Sequence, residues 1–413
     1  MIKKQATPGR PGPSLYHRFI NLARRNPGML FTMLREGYRR KIGGFLDCRL
    51  LKVYGRSAPP SSLELNLTRR CNLKCVMCRQ NLRAAAVPQG LSWYDPAREL
   101  PLAGWVGLLD QVKYFRPRLY LTGGEPLIYP HFPEFLKEAK KRGFMVQLQT
   151  NGTLLAKVAD LLVDQGVEMV NVSIDGPEEV HDRIRTHRGA LQLTLKGIRA
   201  LTAARQKRGS PGPVLLINCV ATKANLGFLD QIVPLALSLG ADMLQIQNPM
   251  IDTPANVARH NARLSPEFAR DQGLEVIFPS ILEGEYYQNE LAPEDLPRLA
   301  AALKRVKQQA KGRINMMIWP EFSLDLLAPY YQDLDYPFPQ VCNALWTTGI
   351  IFPDGTVSPC LHVVAGNIAA QPFKDIWNGP RMRRFRELIG QGLLPGCARC
   401  CHRSFIGKLK SVS

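Results

Sequence analysis

Cys71, Cys75 and Cys78 form a CxxxCxxC run within Thr68-Arg69-Arg70-Cys71-Asn72-Leu73-Lys74-Cys75-Val76-Met77-Cys78. Three thiolates on so short a loop can bind three irons of a cubane cluster and leave the fourth iron open. A cluster that only carries electrons normally has four protein ligands. An open iron can chelate a substrate or cosubstrate, so this spacing points to catalysis. Structural zinc wants four closed ligands, usually from two CxxC-type elements, and nothing nearby supplies the fourth. A second group comprises Cys342, Cys360, Cys397, Cys400 and Cys401. Asp354-Gly355 between apolar stretches reads as a hairpin turn that brings Cys342 and Cys360 together at its base. The run Cys397-Ala398-Arg399-Cys400 can then complete a four-thiolate site. Either Cys400 or Cys401 can be the fourth ligand, and the CxxC spacing favours Cys400. A closed zinc site is the competing reading. Cys48 and Cys219 stand alone and read as small core hydrophobes. The seven histidines show no metal-ligand spacing, and Trp319, Trp346 and Trp377 read as packing residues.

These residues need a frame. The spacing predicts strands over 63–67, 118–121, 146–149, 169–174, 214–221 and 243–247, most separated by helical segments. Repeated βα units imply a parallel sheet with right-handed crossovers. The polar motifs Thr122-Gly123-Gly124-Glu125, Thr150-Asn151-Gly152 and Asp175-Gly176 fall just after strand ends, where barrel enzymes place their sites. The fold class expected is α/β, a partial (β/α)6 TIM-like barrel over 61–250. A basic helical N-terminal extension over 1–60 precedes it. A connecting helical segment follows over 251–340, with a helix from Glu294 to Ala310. A small Cys-rich unit over 341–413 closes the chain.

The cysteine loop, its place after a first strand and the downstream motifs resemble the radical S-adenosylmethionine (SAM) superfamily over residues 63–250. The resemblance implies a [4Fe–4S] cluster on Cys71, Cys75 and Cys78, with SAM bound to the open iron through its amino and carboxylate groups. One electron then cleaves SAM to methionine and a 5′-deoxyadenosyl radical that takes a hydrogen atom from substrate. Gly123-Gly124-Glu125-Pro126 is similar to the GGEP motif that contacts the SAM amino group: glycines allow close approach, and Glu125 can accept from an ammonium. Thr150, Asn151 and Gly152 resemble the TNG turn near SAM. Ser173 and Asp175 resemble strand-four residues that meet its ribose or carboxylate. Arg185 is implied for the carboxylate, with Arg183 and Arg188 competing. Met77 departs from the family, many of whose members have an aromatic residue there. The C-terminal cysteines resemble SPASM and twitch auxiliary-cluster domains. Five cysteines rather than about seven fit the twitch-like form, with one second [4Fe–4S] cluster on Cys342, Cys360, Cys397 and Cys400. The resemblance also implies an external electron donor such as flavodoxin or ferredoxin. No residue is assigned as hydrogen donor, acid or base.

The substrate expected is a small or lipid-linked molecule that undergoes oxidation, epimerisation or C–C or C–X bond formation. The alternative is a ribosomal peptide or protein maturase, against which a helical N-terminus in place of a winged-helix leader-binding domain weighs. The chain has 413 residues and a formal net charge of +20. Residues 1–60 carry 13 Lys or Arg against Glu36 and Asp47. Such a segment favours an anionic partner, a membrane surface or an acidic peptide, with no nucleic acid expected; the competing reading is a helical lid packed on the barrel with its charges in water. No run approaches the roughly 18 apolar residues that span a bilayer, and no secretory signal is evident. The expected location is the cytoplasm, at the periphery of the membrane if the basic helices lie on one.

Overall fold

The computed structural model describes residues 55–78, 95–249, 253–276, 291–336 and 342–400. They all fall within one unit, 46–413. The expected N-terminal extension lies outside the described residues apart from its last six.

The first strand, β1 (Ser62–Thr68, SLELNLT), alternates leucine with polar residues. Five more strands repeat the alternation: β2 (Arg118–Gly123), β3 (Val146–Thr150), β4 (Met169–Ser173), β5 (Val214–Val220) and β6 (Met243–Gln247). All pair in parallel in chain order. Parallel pairing needs crossovers. Helices supply them: α1 (Leu102–Val112), α2 (Phe132–Lys141), α3 (Ala159–Asp164), α4 (Glu178–Arg185), α5 (Ala190–Lys207) and α6 (Ile232–Ser238). Each longer helix buries one stripe. Trp105, Leu108, Leu109 and Val112 of α1 are buried, as are Phe132, Phe135, Leu136 and Ala139 of α2, at the spacing of a single helix face. Trp105 meets Phe135 edge-on at 6.2 Å.

The helices cover one face of the sheet. Leu63, Leu65, Leu67, Leu119, Leu121, Leu148, Val170, Val172, Ile217, Leu244 and Ile246 point into that layer, each 1 % exposed or less. Burying one such side chain is worth about 1.5–3 kcal/mol, so the register of the whole barrel is held by this row.

The opposite, inner face is polar. Tyr120 Oη donates to Gln149 Oε1 at 3.1 Å, and Gln149 Nε2 to Ser173 Oγ at 3.1 Å. Gln245 Nε2 donates to Asn218 Oδ1 at 3.0 Å, and Asn218 Nδ2 to Gln247 Oε1 at 3.5 Å. Strands buried on both faces read as continuous apolar runs. Here the alternation marks a face built to bind something other than hydrocarbon.

The sheet continues past the six expected strands. Beyond the two-residue β7 (Glu275–Val276) runs β8 (Asn315–Trp319), which pairs in parallel with β6. The segment 251–340, expected as a connecting helical one, also supplies this strand, which extends that edge of the barrel. Helices α7 (Pro254–Arg263) and α8 (Leu296–Ala310) lie in the same stretch. At the other edge β9 (Thr348–Ile351) pairs in parallel with β1, and Leu65 faces Ile351. From β9 the chain turns at Asp354-Gly355 into antiparallel β10 (Thr356–Ser358), the expected hairpin. β11 (Val363–Val364) pairs with β7, and β12 (Gly366–Asn367) closes the sheet edge beside β10. The result is an open, ten-stranded partial barrel, its C-terminal part continuous with the rest. No described helix is long and apolar enough to cross a membrane.

Candidate active site

The cysteine loop leaves β1 and is pinned at once. Gly124 N–H donates to Thr68 O at 2.7 Å, and Glu125 N–H to Arg70 O at 2.9 Å. The two backbones lie so close that only glycine fits. A Cβ on Gly124 would sit 2.2 Å from Arg70 O, and one on Gly123, whose φ is +122°, 2.5 Å from Thr68 O. The paired glycines thus admit the cysteine loop's own backbone. Gly124→Ala is expected to displace the loop at about 1–3 kcal/mol and to lower iron bound at Cys71, Cys75 and Cys78. Anaerobic iron assay checks this, and a full iron complement would show that the loop absorbs the shift. On the other side Glu99 accepts from Thr68 Oγ1, from Arg69 N–H and from the Arg70 guanidinium.

Further along, the loop is tied to two strand ends. Asn151 Nδ2 donates to Asn72 Oδ1 at 2.9 Å and lies 4.0 Å from Cys71 Sγ. Asn72 Nδ2 donates in turn to Thr153 Oγ1 at 2.8 Å. Val76 N–H reaches Ile184 O in α4. From the same helix Arg185 Nη1 lies 3.7 Å from Cys75 Sγ, while its Nε donates to Asp175 Oδ2 at 2.6 Å. Arg183 is turned to Ala224 O instead. Of the three competing arginines, Arg185 is the one the fold brings to the cysteines.

Electrostatics set what these thiols can hold. Burial pushes Cys71 up to about 11, with Glu125, Cys75 and Cys78 adding to the rise. Burial also raises Cys75, opposed by Arg185, and Cys78 raises it further. The three sulfurs therefore sense one another, and a cationic centre that binds all three relieves their repulsion. Backbone Leu73 N–H at 3.4 Å from Cys71 Sγ and Arg185 beside Cys75 are donors of the kind that support a metal–thiolate site. The residues fit an iron–sulfur cluster.

Glu125 is 1 % exposed. Its Oε1 accepts from Thr150 Oγ1 at 2.8 Å and Leu127 N–H at 3.2 Å, and its Oε2 from Asn151 N–H at 2.8 Å. Burial lifts it to about 7 even though all three donors pull it down. Its carboxylate fastens the GGEP turn to the TNG turn. Asp175 is fully buried; Oδ2 faces Arg185, whereas Oδ1 has no hydrogen-bond partner. Such an orphaned acceptor costs about 1–3 kcal/mol, and a ligand hydroxyl or ammonium would relieve it. Ser173 Oγ lies on the inner face beside Gln149.

The C-terminal cysteines also converge. Cys342, Cys360 and Cys397 border one apolar cluster with Leu345, Val363, Phe385 and Leu394. Cys400 N–H donates to Cys397 O. Burial raises Cys360 well above the usual thiol range, and Cys397, Cys342 and Cys400 raise it further. The four thiols thus lie within electrostatic reach of Cys360; Cys401 and Cys48 lie outside the described residues. Among the described residues no three His, Cys, Asp or Glu side chains close around a single metal ion. Such spacing is compatible with a cubane, where each thiolate takes a different iron. Cys219 is fully buried and Trp377 packs at 2 % exposure, but Trp319 stands 39 % exposed at the end of β8 and is not the packing residue expected.

Known proteins show which family the chain belongs to. A family described as the radical SAM superfamily matches residues 65–218, and an iron–sulfur cluster-binding domain, SPASM, matches 342–401. The chain belongs to the radical SAM superfamily and carries a C-terminal SPASM domain. It is 31% identical over 354 residues to the AdoMet-dependent heme synthase of Methanosarcina barkeri, covering 83% of this chain and 88% of the relative. It is 26% identical to the PqqA peptide cyclase of Ruegeria pomeroyi over 83% of this chain and 80% of that one. Its fold is similar to that of Streptococcus suis SuiB bound to the precursor peptide SuiA, with a TM-score of 0.57 at 17% identity over 81% of this chain and 69% of SuiB. Membership makes the protein an enzyme that uses a [4Fe–4S] cluster and SAM, and the SPASM domain adds auxiliary iron–sulfur chemistry.

Sequence reasoning missed the inner-face amides Gln149, Asn218, Gln245 and Gln247. The signal was present in VQLQT and MLQIQ, whose period of two is that of a sheet with unlike faces.

Proposed function

We propose that Cys71, Cys75 and Cys78 hold the SAM-binding cluster, and that the enzyme modifies a peptide or similar amide-bearing substrate by hydrogen abstraction. When bound, the cluster and SAM together supply a hydrogen-abstracting radical. The chain's own residues do the rest. Gly123, Gly124, Glu125, Thr150 and Asn151 hold the cysteine loop against two strand ends. Arg185 brings positive charge to Cys75, and Asp175 offers Oδ1 to SAM. Ser173 opens onto the inner face. Cys342, Cys360, Cys397 and Cys400 hold the auxiliary cluster.

One observation carries the substrate reading: the inner face presents uncharged amides and hydroxyls, partly exposed at Tyr120, Gln149, Gln245 and Gln247, with Glu64 of β1 as a carboxylate beside Tyr120. A lipid chain would strip these groups of water and return no hydrogen bonds. A peptide backbone offers an N–H and a C=O at every residue and can satisfy both ends of each amide. The relatives named for a peptide cyclase and a precursor-peptide complex support this. The heme synthase relative favours a tetrapyrrole, and the same experiment separates the two.

Reduced, reconstituted enzyme is offered deuterated peptides, tetrapyrroles or lipid-linked molecules. Deuterium is then sought in 5′-deoxyadenosine. Transfer from a peptide is expected, and Gln245→Leu is expected to raise its KM about 10-fold or more, as for loss of a buried hydrogen bond. Slow SAM cleavage without substrate is expected to persist in that variant. Transfer only from a tetrapyrrole or a lipid would overturn the peptide reading.

A further inference from the structure

The auxiliary cysteines are braced by a helix of the barrel. Asn256 and His260 of α7 are each 1 % exposed. Asn256 Nδ2 donates to Pro395 O at 2.9 Å, and Gly396 N–H donates to His260 Nδ1 at 3.2 Å. Gly396 precedes Cys397. The His260 ring also packs against His362, two residues after Cys360, with centroids 4.3 Å apart. A Cβ on Gly396 would lie 2.9 Å from His362 Cε1 and 3.0 Å from His260 Nδ1, so the turn lies against both rings. His260 thus touches the two chain segments that deliver Cys360 and Cys397.

Its protonation follows from these contacts. Nδ1 accepts a hydrogen bond and so carries no proton. Burial holds the imidazole down to about 4, which keeps it neutral at physiological pH. The one ring proton therefore sits on Nε2. That atom is buried and has no hydrogen-bond partner. A buried donor without an acceptor costs about 1–3 kcal/mol. Nδ1 is engaged by Gly396, and the Nε2 proton points to the other side of the ring.

We propose that His260 Nε2–H donates a hydrogen bond to the auxiliary iron–sulfur cluster, at an inorganic sulfide or a ligating cysteine sulfur, and so raises its reduction potential. The inference rests on the reading that Cys342, Cys360, Cys397 and Cys400 hold that cluster. Sulfides and thiolates are anionic acceptors, and donors aimed at them favour the reduced state. His260 is a positioning residue for the cluster and also one that tunes it.

The test uses the full chain with Cys71, Cys75 and Cys78 replaced by alanine, so that only the auxiliary cluster contributes to spectra. Adding His260→Ala is expected to keep about four irons and to shift the EPR-monitored midpoint to a more negative potential. His260→Gln, which keeps an amide donor, is expected to recover part of that shift. An unchanged midpoint at full iron content overturns the proposal. A second measurement guards against variants that lose iron. With 15N-histidine in the chain and His362→Phe added, the reduced cluster is expected to show a weak 15N coupling, and its absence overturns the proposal. An iron-free or zinc-loaded chain in this background defeats the auxiliary-cluster reading itself, a result distinct from an intact cluster that does not sense His260.

Discussion

With Cys71, Cys75 and Cys78 all replaced by alanine, reductive cleavage of SAM is expected to fall to the uncatalysed background, a loss on the order of 10³-fold or more, equivalent to about 4 kcal/mol of barrier. Iron is expected to fall from about eight to about four per chain. The size of the effect follows from geometry. The three sulfurs sense one another within a loop that is hydrogen-bonded to the ends of β2, β3 and α4. Nothing else described in the site can deliver an electron. Liquid chromatography of 5′-deoxyadenosine and colorimetric iron assay check the two halves separately. SAM cleavage retained at the wild-type rate with only four irons would place the reaction at the C-terminal cysteines and sink the assignment.

Glu125→Ala is expected to be the second most damaging change, and to act on stability before it acts on SAM. It leaves Thr150 Oγ1, Leu127 N–H and Asn151 N–H without their acceptor. At about 1–3 kcal/mol for each buried orphan, the sum is a large share of the 5–15 kcal/mol that usually holds a domain together. The apparent Tm is expected to drop by roughly 5 °C or more, with iron lost from the first site. Glu125→Gln keeps the volume but must turn its NH2 toward one of the three donors, so a smaller drop is expected. Scanning fluorimetry with iron assay decides the matter. A Glu125→Ala protein with unchanged Tm and full iron, defective only in SAM affinity, would show that the carboxylate serves SAM alone.

The residues that the structure gathers around the cysteine loop were legible because they fall in short motifs. Three cysteines in one loop, and short motifs after strand ends, declare themselves without knowledge of what lies across the sheet. The strands were legible to within a residue or two, as buried leucine and valine recur along them. What stayed hidden depends on partners far away in the chain. β8 is five residues, NMMIW, framed by Gly312 and Pro320 but without the apolar–polar alternation of the other strands; its pairing with β6 makes it a strand. Glu125 reads as a ligand-facing acid until Thr150 and Asn151 are seen to close on it from another strand. The glycines before it read as room for SAM until Arg69 and Arg70 occupy that room. His260 gives no sign at all, because the turn before Cys397 that gives it meaning lies more than a hundred residues on.

β1 is hydrogen-bonded to β2 on one side and to β9 on the other. The strand that feeds Cys71 and the hairpin that leads to Cys360 are therefore rungs of one ladder, not modules on a tether. Electron tunnelling weakens steeply with separation, and if the two cysteine groups hold clusters, the continuous strand pairing between them among the described residues would keep their separation constant. The same pairing means that removing residues 342–413 would not yield a smaller enzyme. It would leave the edge of β1 bare, its N–H and C=O groups open to strand addition by another chain, and self-association of the truncated chain would follow.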